Sequence, residues 1–166
     1  MVAFLLDQGA DVNHRDTCGR TALWLASWLD HADLVALLLK RGANVNLHCL
    51  RRWVHSPLAI TANWDNVASM LHLLNHQGID IEFKSHHGQT AIFTAIEVGQ
   101  ARALKLLLQY GADPTHISDE GWSPEEFLHE GWETSDRPDY GYAQCLDHLQ
   151  VSREIAHPNK LEYSRL

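Results

Sequence analysis

Cysteine is scarce in this chain: Cys18, Cys49 and Cys145 are odd in number and never form a C-x-x-C pair. That excludes a disulfide framework and a zinc-ribbon spacing, and a reducing, intracellular compartment, cytoplasmic or nuclear, is the simplest expectation. Long apolar runs are also missing. The longest, such as LVALLL, falls far short of the roughly 20 residues that span a bilayer, and no basic stretch followed by an apolar signal core opens the chain, so no membrane association is expected. Positive charge is in the minority, 13 Lys and Arg against 21 Asp and Glu, for a net charge of -8. Four bases crowd between Lys40 and Arg52 with no acid among them, whereas residues 113–147 hold ten acids and one base, Arg137. So local a basic patch on an acidic chain excludes general nucleic-acid binding, whose affinity comes mainly from neutralising many phosphates.

Recognisable catalytic contexts are absent as well. No G-x-S-x-G elbow and no glycine-rich phosphate loop occurs, so no catalytic residue is assigned, no cofactor is expected, and an enzymatic role stays open without support. Cys18 or Cys49 with His48, His55 or His86, and the acid pair Asp119 and Glu120, are the side chains that could move protons. Each is more simply read as a polar residue of a hairpin tip. The twelve histidines include the adjacent His86 and His87, but neither of these two belongs to an H-x-x-x-H spacing and neighbours on an extended segment point to opposite faces, so no metal site is expected.

What the chain does contain is a repeat. With 166 residues, 45% of them hydrophobic, it is long enough for one domain with a real core. GADVN at Gly9, GANVN at Gly42, GIDIE at Gly78 and GADPT at Gly111 line up at spacings of 33, 36 and 33 residues. Between them fall TALWLAS, SPLAITA, TAIFTAI and SPEEFL, each opened by Ser or Thr before Ala or Pro. Thr21, Ser56, Thr90 and Ser123 are therefore expected to cap short helices. LVALLLKRG, MLHLLNHQG and ALKLLLQYG carry leucines at helical spacing and close on glycine, which can take the left-handed conformation that ends a helix. Neither helix of a unit can bury its apolar face alone, so the units must stack.

This pattern resembles the ankyrin repeat, most closely over residues 16–46 and well over 85–114. Residues 51–82 follow it loosely, with one extra residue between Ser56 and Gly78 and Val54 where the hairpin glycine belongs. The resemblance implies an all-α solenoid of helix-turn-helix units with short β-hairpin-like loops. Residues 1–13 form a partial first repeat, 14–46, 47–82 and 83–115 full repeats, and 116–156 a divergent capping repeat with an inserted loop at 133–141; 157–166 is a C-terminal tail. In the last unit Cys145, Leu146, Leu149 and Ile155 fall near one helical stripe. The family's motif histidine is replaced by Trp24, Ala59, Phe93 and Glu126, which implies an array that relies more on packing; the other family histidine survives as His31. The first unit lacks its first helix, which is compatible with a longer array, a chain start with its end exposed, or a homodimer through that end.

In this family the partner usually meets the concave face, made by the hairpin tips and the inner side of the first helices. Carried over position by position, that face comprises Thr17, Cys18, Arg20, Trp28 and Leu29 in one unit and Arg52, Trp53, His55, Asn63 and Trp64 in the next. A third unit supplies His86, His87, Gln89, Glu97 and Val98, and the cap Asp119, Glu120 and Trp122. Trp24 lies one helical turn from Trp28 and flanks the same surface. Tryptophan is the residue most enriched at binding hot spots, although any of these indoles could instead fill space between repeats. The resemblance implies a protein-protein interaction module whose aromatic groove receives a protein or peptide, with Arg51 and Arg52 attracting an acidic segment. The alternative is a small-molecule-binding or enzymatic ankyrin protein that holds an apolar metabolite in a Trp-walled cavity, with the 133–141 loop as a lid. A purely structural piece of a larger array is the third reading.

Overall fold

The computed structural model describes residues 1–49, 55–85, 87–134 and 140–156, with side chains in 130–134, at 140 and in 153–156 left aside. Among the described residues the chain forms α1 (Val2–Asp7), α2 (Ala22–Trp28), α3 (Ala32–Lys40), α4 (Pro57–Trp64), α5 (Val67–Leu74), α6 (Ala91–Glu97), α7 (Ala101–Gln109), α8 (Pro124–Thr134) and α9 (Tyr140–Ala156). No strand occurs among them. No helix is long and apolar enough to cross a membrane.

Most of these helices are too short to persist alone in water, so packing must hold them. Helices α2, α4, α6 and α8 stack in one row; α3 packs on α5, and α7 on α9, in the second. Between the rows lies a continuous core that includes Leu23, Val35, Leu38, Leu58, Met70, Leu73, Ile92, Leu104, Leu107, Leu128 and Leu149. Each such side chain contributes about 1.5–3 kcal/mol by leaving water. Leu146 packs on the edge of this core and Cys145 lies inside it, as the helical stripe predicted.

The caps are only partly as expected. Thr21 Oγ1 accepts from the Trp24 amide at 3.1 Å and Ser56 Oγ from the Ala59 amide at 3.2 Å. Ser123 forms a reciprocal box: its Oγ accepts from the Glu126 amide at 3.3 Å while the Glu126 carboxylate accepts from the Ser123 amide at 2.9 Å. Thr90 does not cap; its buried Oγ1 makes no hydrogen bond. Gly9, Gly42, Gly78 and Gly111 all close their helices at φ between 82° and 90°.

Units are tied edge to edge by polar side chains. Asn13 Oδ1 accepts from the Asn44 amide at 2.7 Å, Asn46 Oδ1 from the Asp80 amide at 2.9 Å and Glu82 Oε1 from the Asp113 amide at 2.9 Å. The same two repeat positions are thus joined at three successive junctions, at offsets of 31, 34 and 31 residues.

The second unit departs in its hairpin. Elsewhere the hairpin closes over four residues, from the Asp16 amide to the Arg20 carbonyl, Ser85 to Gln89 and Ser118 to Trp122. Here the Cys49 amide donates to the His55 carbonyl, six residues on, so this hairpin holds two residues beyond the others in addition to the one after Ser56. The segment between α8 and α9 is also narrower than 133–141: α8 runs to Thr134 and α9 starts at Tyr140, leaving 135–139, which lie outside the described residues together with the tail 157–166.

Candidate functional site

Thr21 starts α2 and so sets the direction in which Trp24 leaves the helix. The Trp24 ring is 8% exposed and its Nε1 donates to the His55 carbonyl at 3.0 Å, across the junction between the first two hairpins. An indole N–H buried without a partner would cost about 1–3 kcal/mol, and this bond removes that cost. It also qualifies the expectation that, without the motif histidine, the array relies more on packing. At this junction tryptophan supplies the hydrogen bond between loops; at a later one His116 Nε2 meets the Gly88 carbonyl at 2.8 Å. Phe93 does rely on packing, edge-on to Phe127 at 5.4 Å.

Trp28 follows Trp24 by four residues on the same helix face, with ring centroids 5.9 Å apart and planes tilted by 44°. Opposite them α4 presents Ile60, Asn63 and Trp64, and His55 stands at its start. These six residues, Trp24, Trp28, His55, Ile60, Asn63 and Trp64, line one half-open pocket of about 350 Å³. Trp24 and Ile60, joined by Cys49, form a small apolar cluster of their own. Trp28 and Trp64 remain 38% and 56% exposed. Asn66 holds the end of α2 by donating to the Ser27 and Trp28 carbonyls, each at 2.9 Å.

Among the described residues the lining carries no Asp, Glu, Lys or Arg, and burial lowers the affinity of His55 for a proton. At neutral pH the pocket is therefore aromatic, uncharged and suited to an apolar group.

The other expected site residues lie apart from this pocket. Arg20 is committed to its own hairpin: its Nε and Nη2 reach Asp16 Oδ2 at 2.8 and 2.7 Å, and the hydrogen bond from Arg20 holds the Asp16 carboxyl below its ordinary range. His87 is exposed, with Nδ1 3.1 Å from Glu120 Oε1, and its carbonyl accepts from the Asp119 amide at 2.9 Å. The Glu97 side chain is exposed while its carbonyl accepts from the Tyr142 hydroxyl at 2.9 Å. Trp122 is half-buried and does not line the pocket. Arg52, Trp53 and His86 lie outside the described residues. The proposed lid fares similarly: its described flank, Gly141, packs against Gly99 after α6, whereas the pocket lies between α2 and α4. Among the described residues no group of three or more His, Cys, Asp or Glu is arranged to hold a metal.

Two features escaped sequence reasoning. Ile60 lines the pocket but reads as an ordinary core position. A larger cavity of about 700 Å³ lies on the second-helix side, lined by Lys105, Leu108 and Pro114 near α7 and by Asp147, His148 and Val151 on α9. Among the described residues its lining contains no aromatic side chain.

Models of ankyrin repeats match residues 1–49, and a single-repeat model matches 87–120, together half of the chain. The chain belongs to the ankyrin-repeat family. Over 119 residues this ankyrin-repeat protein is 34% identical to the human transient receptor potential cation channel subfamily A member 1, which covers 71% of the chain and 10% of the channel. It is 27% identical over 155 residues to human SH3 and multiple ankyrin repeat domains protein 2, covering 75% of the chain and 8% of that protein. To the putative ankyrin repeat protein YahD of Escherichia coli (strain K12) it is 32% identical over 136 residues, covering 78% of the chain and 66% of that protein. The chain thus spans about a tenth of the length of the first two relatives. Ankyrin repeats are generally protein-interaction modules, and relatives as different as these share the scaffold rather than an activity.

Proposed function

We propose that this ankyrin-repeat protein binds a protein or peptide by taking one apolar side chain of the partner into the pocket between α2 and α4. The supporting observation is the convergence of Trp24, Trp28 and Trp64 on one uncharged, half-open space of about 350 Å³, with the two outer indoles exposed. Buried aromatic anchors supply most of the affinity of such contacts, and rim charges steer approach. Arg51 and Arg52 precede His55 closely in the sequence, so an acidic flank beside the apolar anchor is the matching partner chemistry.

Peptides selected from a random display library against the whole chain should share an apolar anchor. Their binding should fall about 30-fold or more on Trp64→Ala, the loss expected of a hot-spot residue. Trp64 is 56% exposed, so the substitution should leave the helical signal intact. Equal binding by wild type, Trp28→Ala and Trp64→Ala would overturn the assignment.

The pocket volume also favours a second reading, an apolar small molecule, because cavities of about 300–1,000 Å³ hold such ligands. Native mass spectrometry of the purified chain separates the two: a bound metabolite lost on Trp64→Ala supports the second reading. A self-associated form would use the exposed Phe4 and Leu5 of α1, and sedimentation of Phe4→Ser against wild type tests it.

A further inference from the structure

The first two hairpins meet through a sulfur. At the junction of the third and fourth hairpins the tip carbonyl, that of His87, accepts a backbone amide from Asp119 at 2.9 Å. The corresponding carbonyl of the first hairpin, that of Cys18, accepts from Cys49 Sγ at 3.2 Å, at the start of the enlarged second hairpin. Both cysteines are free thiols; Cys18 is half-buried on its hairpin tip and Cys49 is 7% exposed. From that contact and standard bond lengths the two Cα atoms lie at most about 8 Å apart. A disulfide needs about 4.4–6.8 Å, so a bridge is within reach of a movement of the tip that turns the Cys18 sulfur toward Cys49.

We propose that Cys18 and Cys49 form a reversible disulfide when the protein meets a peroxide, and that this modification clamps the first hairpin to the second beside the tryptophan pocket. Cys18, the more exposed thiol, gives up its proton and attacks one peroxide oxygen. The S–O bond forms, the O–O bond breaks, and the departing hydroxide takes up a proton to leave as water. The Cys18 sulfur is oxidised by two electrons to a sulfenic acid and the peroxide is reduced. Cys49 Sγ then attacks that sulfur; the S–S bond forms, the S–O bond breaks, and the hydroxide leaves as a second water with the Cys49 proton. Two thiols and one peroxide thus give one disulfide and two waters. Because Cys49 packs with Trp24 and Ile60, two walls of the pocket, the clamp fixes those walls from below. The proposal is independent of what the pocket binds.

Cys145 is an internal control. It lies on α9, fully buried in the core, and burial pushes its thiol up to about 12. The whole reduced chain is treated with hydrogen peroxide, then unfolded and alkylated. Free thiols should fall from three to one, the intact mass should drop by two hydrogens, and peptides containing Cys18 and Cys49 should appear joined until dithiothreitol is added. Cys18→Ser, a change on a half-exposed tip, should abolish the link, and Cys49→Ala should leave Cys18 as a sulfenic acid trapped by dimedone. Linkage to Cys145, linkage between chains, sulfinic acid at Cys18 with Cys49 untouched, or the same two-hydrogen loss in Cys18→Ser would overturn the proposal. The Cys18→Ser result decides the matter even if Cys49→Ala fails to fold.

Discussion

Three turns along the array join a first helix to its second helix, and they are built in two ways. Asp30 and Asp65 hold the left-handed conformation at φ 53° and 54°, and Gly99 holds it at φ 69°. Both carboxylates cross to the next unit, Asp30 Oδ1 accepting from the Ser69 amide at 3.1 Å and Asp65 Oδ1 from the Ala103 amide at 3.0 Å. Each receiving amide is the third of its helix, so one unit's turn caps the next unit's second helix. At Gly99 the side chain is absent on both sides. Gly141 of α9 comes so near that a Cβ there would lie 2.4 Å from the Gly99 carbonyl oxygen, and the Tyr142 hydroxyl donates to Glu97. A neighbour can thus be held either by a polar side chain that reaches across or by removing side chains until backbones touch. The first tolerates change in the partner's sequence; the second does not.

The largest effect should come from the glycine contact. Gly141→Ala forces backbone against backbone and should cost about 2–3 kcal/mol, within the range for overpacking. The urea midpoint should fall and amides of α9 should lose hydrogen-exchange protection. Gly99→Ala places its Cβ 3.5 Å from the Tyr142 ring, an ordinary contact, and should cost only the left-handed strain, about 1–2 kcal/mol. A Gly141→Ala variant as stable as Gly99→Ala would mean that the two ends are held in the same way.

Asp65 separates strain from capping. Asp65→Ala removes the acceptor for the Ala103 amide and leaves a Cβ in the left-handed region, for about 2 kcal/mol by urea unfolding. Asp65→Gly removes the acceptor but relieves the strain and should cost about 1 kcal/mol. Arg102 lies 3.4 Å from Asp65 but is 76% exposed, so losing that pair adds little. Equal losses for Ala and Gly would place the whole effect in the cap. At the other end Tyr142→Phe removes one hydroxyl bond and should cost about 1 kcal/mol by the same measurement.

How much of this was legible depends on which residue carries the signal. The repeat was legible because Gly42, Gly111 and the caps at Thr21, Ser56 and Ser123 satisfy local backbone needs that any sequence must meet in place. Thr90 has the same local pattern, yet its hydroxyl is buried without a partner, because rotamer and packing settle what spacing cannot. Four of the six pocket residues followed from alignment to the family's concave face and Trp24 from its helical spacing to Trp28, whereas Ile60 is indistinguishable from core by periodicity. The inter-loop bond from Trp24 was hidden because it depends on where the His55 carbonyl lies, 31 residues away. Asp30 and Asp65 look like surface acids in sequence; only the backbone angle and the amide beyond it reveal their work. Gly141 and Tyr142 lie in the unit that departs most in length, where repeat alignment gives no register.

Acid should also distinguish the two ends, by the smallest amount. Burial lowers the proton affinity of His55 below its ordinary value of 6.5, so the folded state resists a proton that the unfolded chain accepts. As pH falls below 6.5 the unfolded chain is protonated first and stability declines, levelling off once pH lies below the folded value. His148 on α9 is shifted the same way, by burial first and then by Lys105, with Asp147 opposing, but it is far less enclosed. Urea midpoints should therefore fall between about pH 7.5 and about pH 5.5, and His55→Gln should flatten that fall more than His148→Gln. Carboxylates contribute too, but both variants share them, so the difference isolates the histidines. Were His148→Gln the flatter, acid sensitivity would reside at the glycine-built end and the tryptophan junction would be the more tolerant of the two.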